Sequence, residues 1–530
     1  MRTKTSLYLP VKKRYTVRKG NGQCKKTCEK KGLARTWGGF LHVFFESPGG
    51  TGLGKNKINI LVILLMMLLL TGCKTALEES ETENGAQEPV SQSSGQEAGA
   101  PKKEETEPSA AQEDAQNVPD IAVNQLGYIT ERDKVAIFSA QELPQEFHVV
   151  RADSGEVVFA GYLRDNGYNE AGREYNGYGD FSEVQESGSY YIEAPILGKS
   201  YSFRIGDELY QGVLEEACKS YGYGQEERTA QFLPAAAGDM AVALLAYELN
   251  TGVFTDDMGT SESGNEIPDL LDEVRHGAEW MLKQQNQETG SVSAGIAGAE
   301  GWEAAFAMAL AKFSYLYQAY DTDFATQCLR AADRAWMYAD LSAEQQTQTP
   351  SEHGWKLAAA AELYRASGNQ SFYDYISEYF EDGNACGEAE LPALMGYITY
   401  IATKQPVDLE ICREITGILT ERADRAAEGT GEILWENREG EPDGDYQEIL
   451  ENSIYLTVIN HLMTSREYEV TIENILHYLM GRNRQSVSYI KNAGENYYAP
   501  GKEPIEDNSR LILLLSEIIG YGKVHEGKEE

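Results

Sequence analysis

Carboxylates give this chain its largest stock of reactive groups. Its 530 residues include 84 Asp and Glu against 46 Lys and Arg, a formal net charge of −38. Two carboxyl groups can divide acid and base work, one drawing a proton from water and the other delivering a proton to a departing oxygen. Abundance alone does not locate such a pair, because some carboxylate always lies near another. The other reactive types offer less. The histidines of the expected folded part, His148, His276, His353, His461, His477 and His525, make no metal-ligand spacing. Cys24 and Cys28 form a lone pair with no second pair to complete a zinc site. Cys218, Cys328, Cys386 and Cys412 lack a partner motif and read as small buried hydrophobes. No local run of oxygen ligands supports calcium. The sequence therefore implies no metal and no cofactor.

Charge and hydropathy divide the chain. Residues 1–72 hold 14 of the Lys and Arg but only 2 of the acids, Glu29 and Glu46. From Cys73 onward 32 basic residues face 82 acids, a net of −50. Such a surface repels phosphate backbones and excludes nucleic-acid binding. The apolar run Ile58–Leu70 follows Lys55 and Lys57 and ends at Leu70-Thr71-Gly72-Cys73. It is too short for a permanent membrane helix and suits the apolar region of a signal peptide. Its end resembles the lipobox of bacterial lipoproteins, which implies cleavage before Cys73 and lipid attachment to that sulfur. Residues 55–73 are thus expected to be a lipoprotein signal, and the membrane is reached through the lipid anchor only. Residues 1–54 fit no signal and read as a mis-assigned start or a disordered extension. Residues 74–119, rich in Glu, Gln, Ser, Ala and Gly, cannot offset their ordering entropy and read as an acidic tether.

Two kinds of element would then have to position the chemistry. Short strand-like runs, Lys134–Phe138, Phe147–Val150, Val157–Phe159, Ser189–Glu193 and Tyr201–Ile205, are separated by turns such as Ser154-Gly155 and Ser187-Gly188. They predict a small all-β immunoglobulin-like sandwich over 120–207. Beyond Leu209 the period becomes helical. Leu271, Val274, Ala278, Met281 and Leu282 share a face behind Pro268, as do Trp302, Phe306, Ala309, Phe313, Leu316, Tyr317 and Tyr320. Trp355, Ala358, Ala359 and Leu363 end at Gly368-Asn369, a C-terminal cap signal. Residues 208–522 are expected to be all-α, with 523–530 a disordered tail.

Several motifs are more specific. Ile121-Ala122-Val123-Asn124-Gln125-Leu126-Gly127-Tyr128 resembles the first strand of the immunoglobulin-like domain that precedes many family 9 glycoside hydrolases, the cellulases. Ala246-Tyr247-Glu248-Leu249, Glu262–Glu273 (through Ile267-Pro268-Asp269-Leu270-Leu271-Asp272-Glu273), Ala360–Gly368, Leu479-Met480-Gly481-Arg482-Asn483 and Ser488-Tyr489-Ile490 resemble segments of that family in its order. The resemblance covers roughly residues 121–520 and implies an (α/α)6 barrel with a substrate cleft across one rim, acting on β-glucan or a related polysaccharide.

The resemblance also implies an inverting pair of carboxyl groups about 6.5–9.5 Å apart. The family's base lies in an Asp-Ala-Gly-Asp loop, which occurs nowhere in this chain; the corresponding stretch is Gly224–Phe232. Gly238-Asp239 echoes the loop, but Asp239 is expected inside the following helix. Matching Asn508-Ser509-Arg510-Leu511 to the start of the family's last helix puts Lys502 at the acid position, with Glu503 and then Glu506 as the candidate acids beside it. Glu226, Glu227, Asp256, Asp257 and Glu262 could supply a relocated pair. Trp435, beside the acidic stretch Glu436–Asp445, is the candidate sugar-stacking aromatic, whereas Trp302 and Trp355 read as core. The expected protein is a bacterial surface lipoprotein of the endo-β-1,4-glucanase class with altered catalytic loops. The alternative is a non-catalytic binder of glucan or cell-wall polysaccharide.

Overall fold

The computed structural model describes residues 118–530 apart from 170–171, 227–232, 294–301, 344–349, 385–389, 431–445, 492, 497–507 and 527–530. The first part of the described chain is a two-layer β-sandwich. One sheet orders β1 (Ile121–Ala122), β3 (Val135–Ala140), β7 (Glu174–Asp180) and β6 (Arg164–Asn169). The other orders β2 (Gly127–Tyr128), β10 (Phe203–Ile205), β8 (Gly188–Ala194), β4 (Glu146–Arg151) and β5 (Val157–Tyr162), with β9 (Gly198–Lys199) beside β8. The opening motif serves both sheets, because β1 pairs antiparallel with β3 while β2 pairs parallel with β10. Asn124 makes the crossing possible: its side-chain oxygen accepts from the backbone amides of Leu126 and Gly127, bending the chain between layers. Between the layers Phe138, Phe147, Val149, Phe181, Tyr190, Ile192 and Phe203 form the core.

The β6–β7 hairpin is an addition to the sequence reading. Its residues, Arg164–Asp180, are rich in Gly, Asn and Tyr and lack the alternating branched aliphatics that mark a strand. Pairing with β3 along its full length, from Val135 opposite Asp180 to Ala140 opposite Tyr175, makes β7 a strand regardless.

Twelve helices follow among the described residues: α1 (Gln211–Glu226), α2 (Leu233–Leu249), α3 (Asp269–Gln284), α4 (Trp302–Tyr317), α5 (Thr322–Ala343), α6 (Pro350–Ser367), α7 (Gln370–Glu381), α8 (Leu391–Ala402), α9 (Leu409–Thr430), α10 (Tyr446–Leu462), α11 (Arg466–Leu479) and α12 (Asn508–Glu526). They alternate in character. The odd-numbered helices carry one apolar stripe and one polar face, the pattern of helices with one wet side. The even-numbered ones are apolar around much of their circumference: Ala304–Ser314 of α4 and Pro392–Tyr400 of α8 are buried without a break. Helices apolar all round must sit inside. Accordingly α2 packs on α4, α4 on α6, α6 on α8, α10 on α12 and α12 on α2, while α9 packs on both α8 and α10. Alanine-rich stretches such as Ala235–Ala237 and Ala358–Ala361 permit close approach between neighbouring helices. The result is an (α/α)6 barrel with six inner and six outer helices.

Pro268 stands directly before α3, and Gly368 ends α6 with φ +69°, both as the sequence suggests. Tyr320 departs from its expected helical face. Asp321 accepts from the amide of Phe324 and starts α5 there, so Tyr320 lies past the end of α4 and is 37% exposed.

Candidate functional site

Each inner helix is preceded by a connection lying wholly or partly outside the described residues. The sequence candidates for chemistry fall largely there. Glu503, Glu506, Trp435, Glu227 and the lipidation candidate Cys73 all lie outside the described residues. Asp239 is within α2, so Gly238-Asp239 is helix and not a base-bearing loop. Glu226 closes α1, one side of the connection 227–232. Asp256, Asp257 and Glu262 come after the far end of α2, whose 17 residues span about 26 Å. That length separates them from the connection at the start of α2, well beyond an inverting pair's reach. Their loop is also internally occupied. Asp256 accepts from the amides of Gly264, Asn265 and Glu266, Asp269 from the amide of Met258 and the hydroxyl of Ser263, and Asp272 from Asn265. Among the described residues no group of three or more His, Cys, Asp or Glu side chains could hold a metal ion. Trp302 and Trp355 are core residues, as their spacing suggests, and Cys218 and Cys328 are buried, while Cys412 is only half-buried.

Two motifs identified separately in the sequence meet near the C-terminal ends of the inner helices. Glu248, from Ala246-Tyr247-Glu248-Leu249, pairs with Arg365, from the Ala360–Gly368 segment. Lys312 of α4 lies between Glu248 at 3.1 Å and Glu362 at 3.4 Å. Glu362 also accepts from the Tyr315 hydroxyl at 2.7 Å and the Thr399 hydroxyl at 2.6 Å. Burial by itself would raise the Glu248 carboxyl, but Lys312 and Arg365 outweigh it and hold the group at about 2. Burial, then the neighbouring carboxylates Glu362 and Glu248, push the Tyr315 phenol well above its usual range. A carboxylate held by two cations at such a low pKa neither accepts nor delivers protons near neutral pH. This cluster fastens α2, α4, α6 and α8 together. A lysine inside the apolar run Ala307–Phe313 was the available sequence signal for it. A second knot ties α2 to α10 and α12: Glu517 accepts from Asn250 at 3.1 Å and lies 2.7 Å from the His461 ring.

The first and last motifs also meet, at the seam between sandwich and barrel. The Gln125 amide donates to Met480 O at 2.9 Å. Its side chain donates to Ser486 O at 2.7 Å and accepts from the amide of Asn496 at 2.7 Å. Gly481 and Gly494, at φ +109° and +110°, make room: a Cβ on either would come within 2.6 Å of the Gln125 side chain. Asn124 bonds the His477 ring at 2.9 Å, and Tyr210 donates to Gly127 O at 2.8 Å. Arg482 is buried here and donates to Asn474 at 2.6 Å. Burial holds His477 well below the usual imidazole range, and the Arg482 and Lys134 charges lower it further, so its ring is neutral. The seam grips residues 480–496, the described part of the connection that continues toward Glu503 and Glu506.

Comparison with known proteins follows the same division. Residues 116–199 match the cellulase N-terminal ig-like domain, and residues 297–500 match glycosyl hydrolase family 9. Endoglucanase D of Acetivibrio thermocellus is 23% identical over 464 residues, covering 71% of this chain and 73% of that protein. A xyloglucan-specific endo-β-1,4-glucanase of Bacteroides ovatus is 27% identical over 301 residues, covering 42% of this chain and 50% of its own length. The crystal structure of a metagenome-derived family 9 endoglucanase superimposes with a TM-score of 0.64 at 21% identity, covering 76% of this chain and 99% of that one. The chain is thus similar, in order, to a cellulase N-terminal Ig-like domain and to glycosyl hydrolase family 9, and it shares the fold of a solved family 9 endoglucanase.

Proposed function

We propose that this protein engages β-1,4-linked glucan as a member of the endo-β-1,4-glucanase class, held at the bacterial cell surface by lipid on Cys73. The observation that carries the substrate class is the family 9 match over the helical barrel, behind a matching Ig-like domain. By their names, one of the similar proteins above is an endoglucanase and another a xyloglucan-specific endo-β-1,4-glucanase. A surface anchor fits that role, since the polymer cannot enter the cell. Hydrolysis in this chain runs slowly, because no Asp-Ala-Gly-Asp base motif is present in the sequence and Asp239 is committed to a helix.

A second reading, glucan binding with no hydrolysis, is favoured by that same missing motif. Two assays separate the readings: migration of the full chain through gels containing mixed-linkage β-glucan, and release of reducing ends from the same polymer. Retardation with slow release supports the first reading, and retardation without release the second. Absence of both overturns the glucan assignment. The anchor is tested by metabolic labelling with a fatty acid: Cys73→Ala loses label and membrane association if the proposal holds, and keeps both if it does not.

A further inference from the structure

The β6–β7 hairpin presents an aromatic surface that the fold itself does not use. Tyr168 and Tyr175 are directly opposite across the two strands, with ring centroids 5.2 Å apart and planes at 67°. They are 46% and 42% exposed. Tyr162, just before β6, is 80% exposed. Two other tyrosines of the sandwich are engaged: Tyr178 lies beneath Arg164, and Tyr190 lies beneath Arg151 and donates to Glu186 O. The hydroxyls of Tyr168 and Tyr175, by contrast, bond to no described residue. The edge strand β6 carries exposed charge at Arg164 and Asp165, and the Tyr168–Tyr175 pair beside them is left as an exposed aromatic patch.

The hairpin also stands beside the barrel. Glu174, next to Tyr175, lies 3.7 Å from Arg484, in the connection that leads into α12. The contact ties the β7 end of the hairpin to the stretch that follows α11.

We propose that Tyr168 and Tyr175 form a docking edge for a neutral β-glucan chain, a use that rests on the glucan reading above. Tyrosine offers a large, rigid, amphipathic contact at low entropic cost, with a face for sugar C–H groups and a hydroxyl for sugar oxygens. The acidic surface repels anionic polymers and leaves a neutral polyhydroxylated chain as the fitting occupant. Because the rings are steeply inclined, one stacks on a pyranose face while the other presents its edge and hydroxyl.

The test uses the full chain in gels containing mixed-linkage β-glucan. Tyr168→Ala/Tyr175→Ala weakens retardation about tenfold, the scale of losing one or two buried ring contacts. Tyr168→Phe/Tyr175→Phe keeps most of it, because the faces remain. The thermal midpoint stays unchanged in both, and Tyr168→Ser alone replaces the double variant if that one unfolds. Equal retardation of wild type and Ala variant overturns the docking edge and leaves the glucan reading intact. A wild type that is not retarded overturns both. If the Ala variant changes the sedimentation coefficient of the protein and not its retardation, the surface joins two copies of this chain and the proposal fails.

Discussion

The two fastenings of this molecule rest on different physics. Near the C-terminal ends of the inner helices, full charges are locked together: Glu248, Lys312, Glu362 and Arg365 compensate one another inside the barrel. At the seam with the Ig-like domain, neutral amides predominate: Gln125 and Asn496 satisfy backbone groups of residues 480–496, and Asn124 bonds the His477 ring. The charged knot joins helices that are rigid in themselves. The amide seam instead holds irregular chain, whose backbone donors and acceptors would otherwise be orphaned. The recognisable motifs of this sequence are chiefly scaffold contacts. Glu248 meets Arg365, and Gln125 meets the Gly481-Arg482-Asn483 segment, without any catalytic carboxylate being required.

Breaking the charged knot has the largest expected effect. Lys312→Met leaves Glu362, fully buried, beside Glu248 with too little positive charge, and lowers unfolding free energy by about 3–5 kcal/mol. Urea titration measures this, and adding Glu362→Gln recovers part of the loss. A loss below about 1 kcal/mol contradicts the assignment of Lys312 to a buried pair.

The seam is weaker per contact. Gln125→Ala orphans the amide of Asn496 and costs about 1–3 kcal/mol. Gly481→Ala costs a similar amount in the wild type, from its positive φ and from the clash with Gln125. In the Gln125→Ala background the clash is gone, so the two losses are less than additive. Strict additivity in that double-mutant cycle would separate the two positions and dissolve the seam as described.

Acidity distinguishes the regions further. Burial raises the Glu273 carboxyl to about 7, with Glu262 and Asp272 adding to the rise and His276 opposing it. A raised carboxyl contributes stability that is present below its unfolded value near 4.5 and lost as pH rises through about 7. Glu273→Gln therefore stabilises the protein at pH 8 relative to wild type by about 2 kcal/mol, with little gain at pH 4.5. His477 acts in the other direction. Its lowered pKa gives stability present above the unfolded value of 6.5 and lost as pH falls below it. His477→Gln flattens the acid limb of the stability profile, and an unchanged acid limb would remove His477 from the seam's energetics. The smallest effect is at the rim of the seam, where Arg466 and Asp133 pair at 2.6 Å but are 51% and 58% exposed. Asp133→Asn changes stability by less than about 0.5 kcal/mol, as solvent screening of an exposed pair requires.

Much of the scaffold was legible because periodicity reports burial. The face Leu271, Val274, Ala278, Met281 and Leu282 is buried throughout, and the opening motif does begin the sandwich. The β6–β7 hairpin was not legible, since its strand character comes from pairing with β3 and not from its own Gly, Asn and Tyr residues. The polar fastenings were half legible. Lys312 in an apolar helix and Asn124-Gln125 between two short apolar strands signal buried polar contacts, but pairing partners distant in sequence cannot be read from one strand or helix alone. Neither periodicity nor packing fixes the position of the catalytic candidates from sequence, and Glu503, Glu506 and Trp435 lie outside the described residues.

We propose that this helical barrel keeps its fastenings and engages glucan although its sequence has no Asp-Ala-Gly-Asp base motif. The most direct measurement is reducing-end release from mixed-linkage β-glucan by the full chain, read beside its retardation in the same polymer. Clear retardation is expected, with turnover depressed by about 10²–10⁴, the contribution of a missing general base. Turnover near the common enzyme rate of about 10 s⁻¹ contradicts the loss of the base, and failure to be retarded contradicts the glucan assignment itself.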